Sequence, residues 1–152
     1  MKYFTALFFL FFSFIPIING QQVTKRVLVE KFTSAGCGVC TDGAAKLIDI
    51  TENNPNVIWV SHHAGFIVDP MFFLEIDTIA SAFTDGAPKA SIDRIKFPVE
   101  TYIATPRHKW NDYINTQLAQ TADVDLSVSG IFDTTTRDIK LTVNTTFINA
   151  IT

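Results

Sequence analysis

Residues 25–40 read Lys-Arg-Val-Leu-Val-Glu-Lys-Phe-Thr-Ser-Ala-Gly-Cys-Gly-Val-Cys. The first nine residues are rich in β-formers, and Ser-Ala-Gly marks a turn directly before the two cysteines, Cys37 and Cys40. Residues 41–52 then carry apolar side chains at helical spacing, and Asn-Asn-Pro-Asn ends the pattern. Residues 57–60, Val-Ile-Trp-Val, are a short continuous apolar run typical of a buried parallel strand. The segment therefore predicts a βαβ unit of an α/β fold, with the cysteines where the first strand leads into the helix.

The middle of the chain predicts two more helices around a short strand. Residues 61–65 are interpreted as a loop, and Asp69 is placed to cap a helix over 70–83. Residues 90–93 form a short strand, and a third helix opens at 105–106. The aromatic and apolar residues of this third helix lie on one side, and we interpret them as core.

The C-terminal part of the chain changes to a period of two. Residues 124–132 and 139–147 alternate apolar and polar side chains, which predicts two antiparallel strands with one buried face. A hairpin alone is marginal in water, so it either packs on the first domain or belongs to a larger sheet. We favour the second interpretation. Residues 123–152 would then start an antiparallel β-sandwich-type domain of a longer protein, after a first domain at 23–122.

The N-terminus has the pattern of a secretory signal peptide. Lys2 is followed by an apolar block at residues 5–18, shorter than the roughly 20 residues that a membrane span needs. We expect cleavage after Gly20 and export; an uncleaved anchor helix is the alternative. Without residues 1–20 the net charge is about −4, because Lys2 leaves with them. No basic run remains, which argues against a nucleic-acid partner.

The two cysteines are the only ones in the chain. Exported proteins commonly use disulfides to join distant segments, whereas a Cys-x-x-Cys pair closes a very small loop and stabilises little. The pair is therefore interpreted as reactive. A helix N-terminus favours the thiolate of Cys37, and Cys40 can then resolve a mixed disulfide with a substrate. The alternative is an inert disulfide in a protein that works by binding.

Pro88 is the second element of the predicted site. It lies some fifty residues after the cysteines and directly before a strand. A cis bond between Ala87 and Pro88 would leave this backbone edge unpaired, so that Ala87 could pair with an incoming substrate chain. An ordinary trans proline in a loop is the alternative.

These segments resemble the thioredoxin-fold superfamily. The resemblance lies in residues 27–33, in Cys37-Gly38-Val39-Cys40, in Gly86-Ala87-Pro88 and in Asp93-Arg94. More narrowly, the chain resembles the outer-membrane-protein-28-related family of Bacteroidetes-type bacteria. The resemblance implies an exported, envelope-located protein with a thioredoxin-like first domain and a β-sandwich domain after it.

The chain departs from thioredoxins proper at four places. Gly36 stands where thioredoxins have Trp, and no proline lies between the cysteines. Thioredoxins also bury an acid beneath the dithiol; Lys31 falls at that position, and Glu30 would fit only with a shift of one residue. The helix predicted at 70–83 looks like an insertion.

His62 and His63 suggest a third class of site. Together with Cys37 and Cys40 they could bind zinc or copper, since thiolate and imidazole suit both ions. The alternative is a histidine pair on the rim of the dithiol that tunes Cys37 by its charge. We expect no cofactor.

The sequence thus favours an exported thiol–disulfide oxidoreductase that acts on the cysteines of other exported proteins in the periplasm, at the outer membrane or at the cell surface. A non-catalytic surface or adhesion protein built on the same scaffold is the main alternative, and a metal carrier is the other.

Overall fold

The computed structural model describes residues 23–148. The predicted signal peptide at 1–20 lies outside the described residues, as do the last residues of the predicted β-domain. The chain divides into two compact units, one of residues 24–122 and one that includes residues 123–148. In the described part of the chain, no helix is both long enough and apolar enough to cross a membrane.

The unit at 24–122 is a four-stranded sheet with three helices. In chain order its elements are β1 (Val27–Thr33), α1 (Cys40–Asn53), β2 (Val57–His63), α2 (Leu74–Phe83), β3 (Lys89–Ile92), β4 (Thr105–Pro106), a 3-10 turn (Arg107–Lys109) and α3 (Trp110–Leu118). The strand order is β2-β1-β3-β4; β1 and β2 are parallel, and β3 is antiparallel to β1 and to β4. The predicted α/β class and the βαβ unit are confirmed.

The two faces of the sheet have separate cores, because successive side chains of a strand point to opposite sides. Val27 and Val29 of β1 lie in a cluster with residues of α1 and α3, including the fully buried Trp110. We call this side the dithiol face. Phe32 lies in a second cluster with Ala80 and neighbouring residues of α2, on the side that we call the α2 face. The sheet therefore keeps α1 and α2 on opposite sides.

The second helix begins at Leu74 and not at Pro70 as the sequence predicts. The side chain of Asp69 accepts hydrogen bonds from the backbone N–H of Met71 at 2.8 Å and of Ala35 at 2.7 Å. The carboxylate therefore holds a turn and a distant loop together instead of capping a helix at its own position.

Two other predicted boundaries are wrong for a common reason, which is pairing with a distant strand. Residues 61–63, predicted as loop, extend β2 because they pair with residues 31–33 of β1. Residues 105–106, predicted to open a helix, form β4 because they pair with residues 89–90 of β3. The third helix starts at Trp110, whose indole N–H donates to the carbonyl of Thr105 at 2.9 Å.

The second unit contains the predicted hairpin, β5 (Val124–Phe132) and β6 (Ile139–Phe147). The register pairs Val128 with Val143 and Phe132 with Ile139, so the apolar residues share one face. These apolar side chains are exposed. The prediction that the hairpin starts a larger β-domain stays a prediction.

Candidate redox site at Cys37 and Cys40

Cys37 and Cys40 form a disulfide with their Cα atoms 5.3 Å apart. The backbone N–H of Cys37 donates to the carbonyl of Ser34, and that of Cys40 donates to the carbonyl of Cys37, each at 3.1 Å. Cys40 is the first residue of α1, so Cys37 lies in the turn that leads into the helix rather than in its first turn. The pair remains at the N-terminal end of α1, where backbone N–H groups favour a negative charge.

The disulfide lies just beneath the surface. Cys37 is 8% exposed and Cys40 is 3% exposed. Between them Gly38 and Val39 are exposed, Val39 to 53%. The reactive sulfur predicted by the sequence is therefore shielded by its surroundings in the oxidised protein.

Pro88 packs close to the helix that starts at the disulfide. The Ala87–Pro88 peptide bond is cis. A Cβ atom added to Gly43, in the first turn of α1, would lie 3.2 Å from Pro88 Cβ and 3.2 Å from Trp110 Cη2. The absence of a side chain at Gly43 thus lets Pro88 and Trp110 approach α1. Sequence reasoning missed Gly43, and its only signal was a glycine inside a helical pattern.

Lys31 lies on the dithiol face, six residues before Cys37. It is only 4% exposed, although its side chain is charged. Its Nζ lies 5.5 Å from the centre of the Trp59 ring, and no carboxylate of the described residues forms an ion pair with it. Burial lowers the pKa of Lys31 from its ordinary value. The position that the resemblance assigns to an acid therefore holds a buried base.

Glu30 points to the opposite side and is fully bonded there. Arg94 donates to Oε2 at 2.8 Å from Nε and to Oε1 at 2.7 Å from Nη2. His62 lies 3.1 Å from Oε1, and Ser91 donates to Oε2 at 3.2 Å. The hydrogen bonds of Arg94, reinforced by those of His62 and Ser91, outweigh burial and lower the pKa of Glu30 to about 2. A shift of one residue would be needed to bring Glu30 beneath the dithiol. β1 pairs with β2 in one continuous register, without such a shift, so Glu30 does not take the place of that acid.

His63 lies beside the turn that carries Cys37. Its Nδ1 is 2.6 Å from Oδ2 of Asp69, and the same oxygen accepts the hydrogen bond of the Ala35 N–H. The Asp69 side chain is completely buried, and the His63 side chain is 23% exposed. Burial tends to raise the pKa of Asp69, but the bonds from Met71, His63 and Ala35 together hold it below the ordinary value. Asp69 is therefore an ionised carboxylate that binds both His63 and the backbone of the turn leading to Cys37.

The four candidate metal ligands do not all meet at one place. His62 and His63 are successive residues of β2 and point to opposite faces of the sheet. His62 is bonded to Glu30 and packs 5.4 Å from the ring of Phe32. Within residues 23–148 no group of three or more His, Cys, Asp or Glu side chains could hold a metal ion.

A run of exposed apolar side chains follows β2 and reaches the turn that precedes Cys37. We call it the apolar rim, and it consists of Ile67, Val68, Met71, Phe72, Phe73 and Leu74. These side chains are between 39% and 93% exposed. The rim reaches the turn before Cys37, since a Cβ added to Gly36 would lie 3.1 Å from Ile67 Cγ2. Sequence analysis placed residues 71–74 in a helix over 70–83, with Phe72 on its apolar side, and so missed the rim.

Comparison with solved structures finds a similar fold in HBP35 of Porphyromonas gingivalis. The structure of HBP35 of Porphyromonas gingivalis is 18% identical in sequence and superposes with a TM-score of 0.53 over 70% of this chain and 37% of that chain. This chain thus spans little more than a third of that protein. No protein-family model and no curated protein matches it. At this level of identity the likeness shows the fold alone: the chain has an α/β architecture similar to part of HBP35.

Proposed function

We propose that this chain is an exported thiol–disulfide oxidoreductase built on a thioredoxin-like domain. The strand order β2-β1-β3-β4, with a Cys-x-x-Cys turn between β1 and α1, supports the thioredoxin-like assignment. One observation carries the proposal. The only disulfide of the chain lies at the start of a helix and joins residues three apart, where it stabilises the fold little.

The reaction that follows is an exchange of disulfides. A substrate thiolate attacks Sγ of Cys37, the Cys37–Cys40 bond breaks, and Cys40 leaves as a thiolate that takes up a proton. A second substrate thiolate then attacks the mixed disulfide, which oxidises the substrate and leaves both cysteines reduced. The reverse sequence reduces a substrate disulfide.

Ala87 and Pro88 are proposed as the dock for the substrate backbone. Ala87 lies two residues before Lys89, the first residue of β3 that pairs with β1. Its peptide groups are therefore outside the ladder and available to an extended chain. The contact of Pro88 with the first turn of α1 supports a position beside the disulfide.

The apolar rim supports a polypeptide as the substrate. Exposed apolar patches are typical of protein-interaction sites, and this one adjoins the turn before Cys37. A cysteine-containing chain that is not yet folded exposes apolar residues of its own, which the rim could hold. With the signal-peptide pattern at 1–20, this favours exported proteins of the periplasm, outer membrane or cell surface as partners.

The test is turnover of a model disulfide. The reduced protein is mixed with an unfolded polypeptide that contains one disulfide, and free thiols are followed over time. We expect reduction by the wild type, no turnover by Cys37→Ser, and a trapped mixed disulfide with Cys40→Ser. A wild type that reacts no faster than the Cys37→Ser variant would exclude the enzyme.

The low exposure of the cysteines favours a second function, that of a non-catalytic binding protein. In this account the disulfide is inert, and the apolar rim binds a partner in either redox state. The two proposals differ in the redox assay: a redox enzyme reduces the model disulfide faster than its Cys37→Ser variant, whereas a binding protein reacts no faster and binds its partner equally well in both forms. The metal carrier has less support, because Nε2 of His62 is already engaged by Oε1 of Glu30 at 3.1 Å.

A further inference from the structure

A single carboxylate oxygen connects a histidine to the turn of the dithiol. Asp69 Oδ2 lies 2.6 Å from Nδ1 of His63 and 2.7 Å from the backbone nitrogen of Ala35. Ala35 is two residues before Cys37. The imidazole and the backbone that leads to Cys37 are therefore neighbours around one buried, ionised group.

Backbone bonds fix the same neighbourhood. His63 pairs with Thr33 at the ends of β2 and β1, and Ala64 N–H donates to the carbonyl of Thr33 at 3.0 Å. The hydroxyl of Ser34 donates to the carbonyl of Ala64 at 2.7 Å. The end of β2 is thus tied to the start of the turn that ends at Cys37, and the position of His63 relative to that turn is set by several independent bonds.

The side chain of His63 points to the dithiol face of the sheet. It shares the dithiol face with Val29 and Lys31, since alternation along paired strands puts residues 31, 33, 61 and 63 on one side. Its Nδ1 is engaged by Asp69, and its other ring nitrogen, Nε2, belongs to a side chain that is 23% exposed. With Nδ1 bonded to Asp69, Nε2 is the ring nitrogen that remains to hold a proton on the dithiol face.

Other charged groups belong to the same face of the sheet. Lys31 projects from β1 on this face, and Asp69 is the carboxylate bonded to His63. At the start of α1, Asp42 is exposed and lies 3.8 Å from Arg107 of the 3-10 turn. Asp69 is therefore the anion that is bonded to His63, and it is held by bonds that do not depend on the histidine alone.

We propose that the Asp69–His63 pair sets the pH range in which Cys37 reacts, a role that rests on the proposed redox function. The imidazole of His63 accepts the proton of the Cys37 thiol, and the imidazolium favours the resulting thiolate. The thiolate attacks a substrate disulfide, the bond from Cys37 to one substrate sulfur forms, and the other sulfur leaves as a thiolate. That thiolate takes the proton from the imidazolium. Asp69 is a positioning residue, because it acts by holding His63 and the turn.

The test is the pH dependence of alkylation of Cys37 with iodoacetamide in a Cys40→Ser background, in which one thiol remains. His63→Gln should raise the apparent pKa of labelling by about one unit, which lowers the thiolate fraction about tenfold below that pKa. His63→Lys, which keeps a positive charge, should restore fast labelling. Asp69→Asn should shift the profile in the same direction as His63→Gln.

His62→Gln is the matched control, because His62 is the adjacent residue but faces the α2 side. It should leave the labelling profile of Cys37 unchanged. A profile that is the same in His63→Gln as in the parent overturns this inference while the redox function stands. A parent protein whose Cys37 labels no faster than a free thiol peptide at any pH overturns both. If Asp69→Asn does not fold, the two His63 variants decide the question.

Discussion

Glu30 and Lys31 are neighbours on β1, carry opposite charges and are both buried, at 2% and 4% exposure, yet their surroundings differ completely. Glu30 faces α2, and its two oxygens have four hydrogen-bonding partners from three side chains. Lys31 faces the dithiol side, its ammonium lies 5.5 Å from the centre of the Trp59 ring, and among residues 23–148 it forms no ion pair. The fold thus supplies hydrogen-bonding partners for the Glu30 carboxylate, and an aromatic ring for the Lys31 ammonium.

The pKa values reflect this difference. Bonds from Arg94 hold the pKa of Glu30 at about 2, so its charged form is favoured in the folded protein. Burial without a partner lowers the pKa of Lys31, so its charged form is disfavoured. A fully paired buried charge is typical of a structural element, whereas an unpaired one beside a reactive group is typical of a functional site. The comparison therefore favours a structural role for Glu30 on the α2 face, and it supports the proposal that the dithiol face carries the chemistry.

The largest expected effect is the loss of the Glu30 carboxylate. Glu30→Ala leaves Arg94 and His62 without their buried partner, and breaking a buried ion pair costs about 3–5 kcal/mol. Since Arg94 is 56% exposed and can be hydrated again, we expect the lower end, about 3 kcal/mol. Urea unfolding measures it, and Glu52→Ala, on the exposed side of α1, is the control. A loss below about 1 kcal/mol would remove the structural role of Glu30.

At low pH the Glu30 carboxylate should no longer stabilise the fold more than a neutral glutamine does. Its pKa is about 2 in the folded protein against an ordinary value of 4.5, so the carboxylate stabilises the fold above pH 4.5. That contribution, about 3 kcal/mol, is lost as the pH falls from 4.5 toward 2. We expect wild type and Glu30→Gln to differ in unfolding free energy at pH 7 and to converge near pH 2. A constant difference across this range would contradict the assignment.

Much of this arrangement was predictable from local sequence, and the rest depends on distant partners. The β-rich run at 27–33, the Cys-x-x-Cys turn and the helix after it are local signals, and the structure has all three. Asp69 was expected to cap the nearest helix, but its partners are Ala35 and His63, which its local sequence does not indicate. The pairing of residues 105–106 with β3 has the same long-range origin.

Charge placement shows the limit most clearly. The alternation of β1 predicts opposite faces for residues 30 and 31, but it cannot name Arg94, sixty-four residues away, as the partner of Glu30. Nor does the sequence around Lys31 show that its ammonium forms no ion pair with a carboxylate of the described residues.

Lys31→Met tests whether the buried ammonium of Lys31, unlike the carboxylate of Glu30, contributes little to stability. It removes a buried charge that forms no ion pair within the described part of the chain, and it nearly keeps the length of the side chain. The gain from avoiding desolvation is opposed by the loss of the contact with Trp59, so the unfolding free energy should change by less than about 1 kcal/mol. Thermal unfolding checks this, with Lys96→Met as the exposed control. A loss as large as that of Glu30→Ala would show that Lys31 is structural.

Gly43→Ala probes how tightly the dithiol face is packed. In most helices this change stabilises by about 0.5–1 kcal/mol. Here the new methyl group would meet Pro88 and Trp110, each at 3.2 Å, so we expect the gain to be cancelled or reversed. Gly38→Ala is the control, because no atom lies within 4 Å of its added Cβ. A stabilised Gly43→Ala variant would mean that Pro88 is not held against α1.

The central claim is that the Cys37–Cys40 pair exchanges electrons with substrates, and its reduction potential tests this most directly. The chain is equilibrated in buffers of defined thiol–disulfide ratio, and the reduced fraction is read after acid quenching and alkylation. The account predicts a potential between about −120 and −270 mV, the range of disulfide oxidoreductases. A potential well below about −300 mV would mark the bond as structural and contradict it.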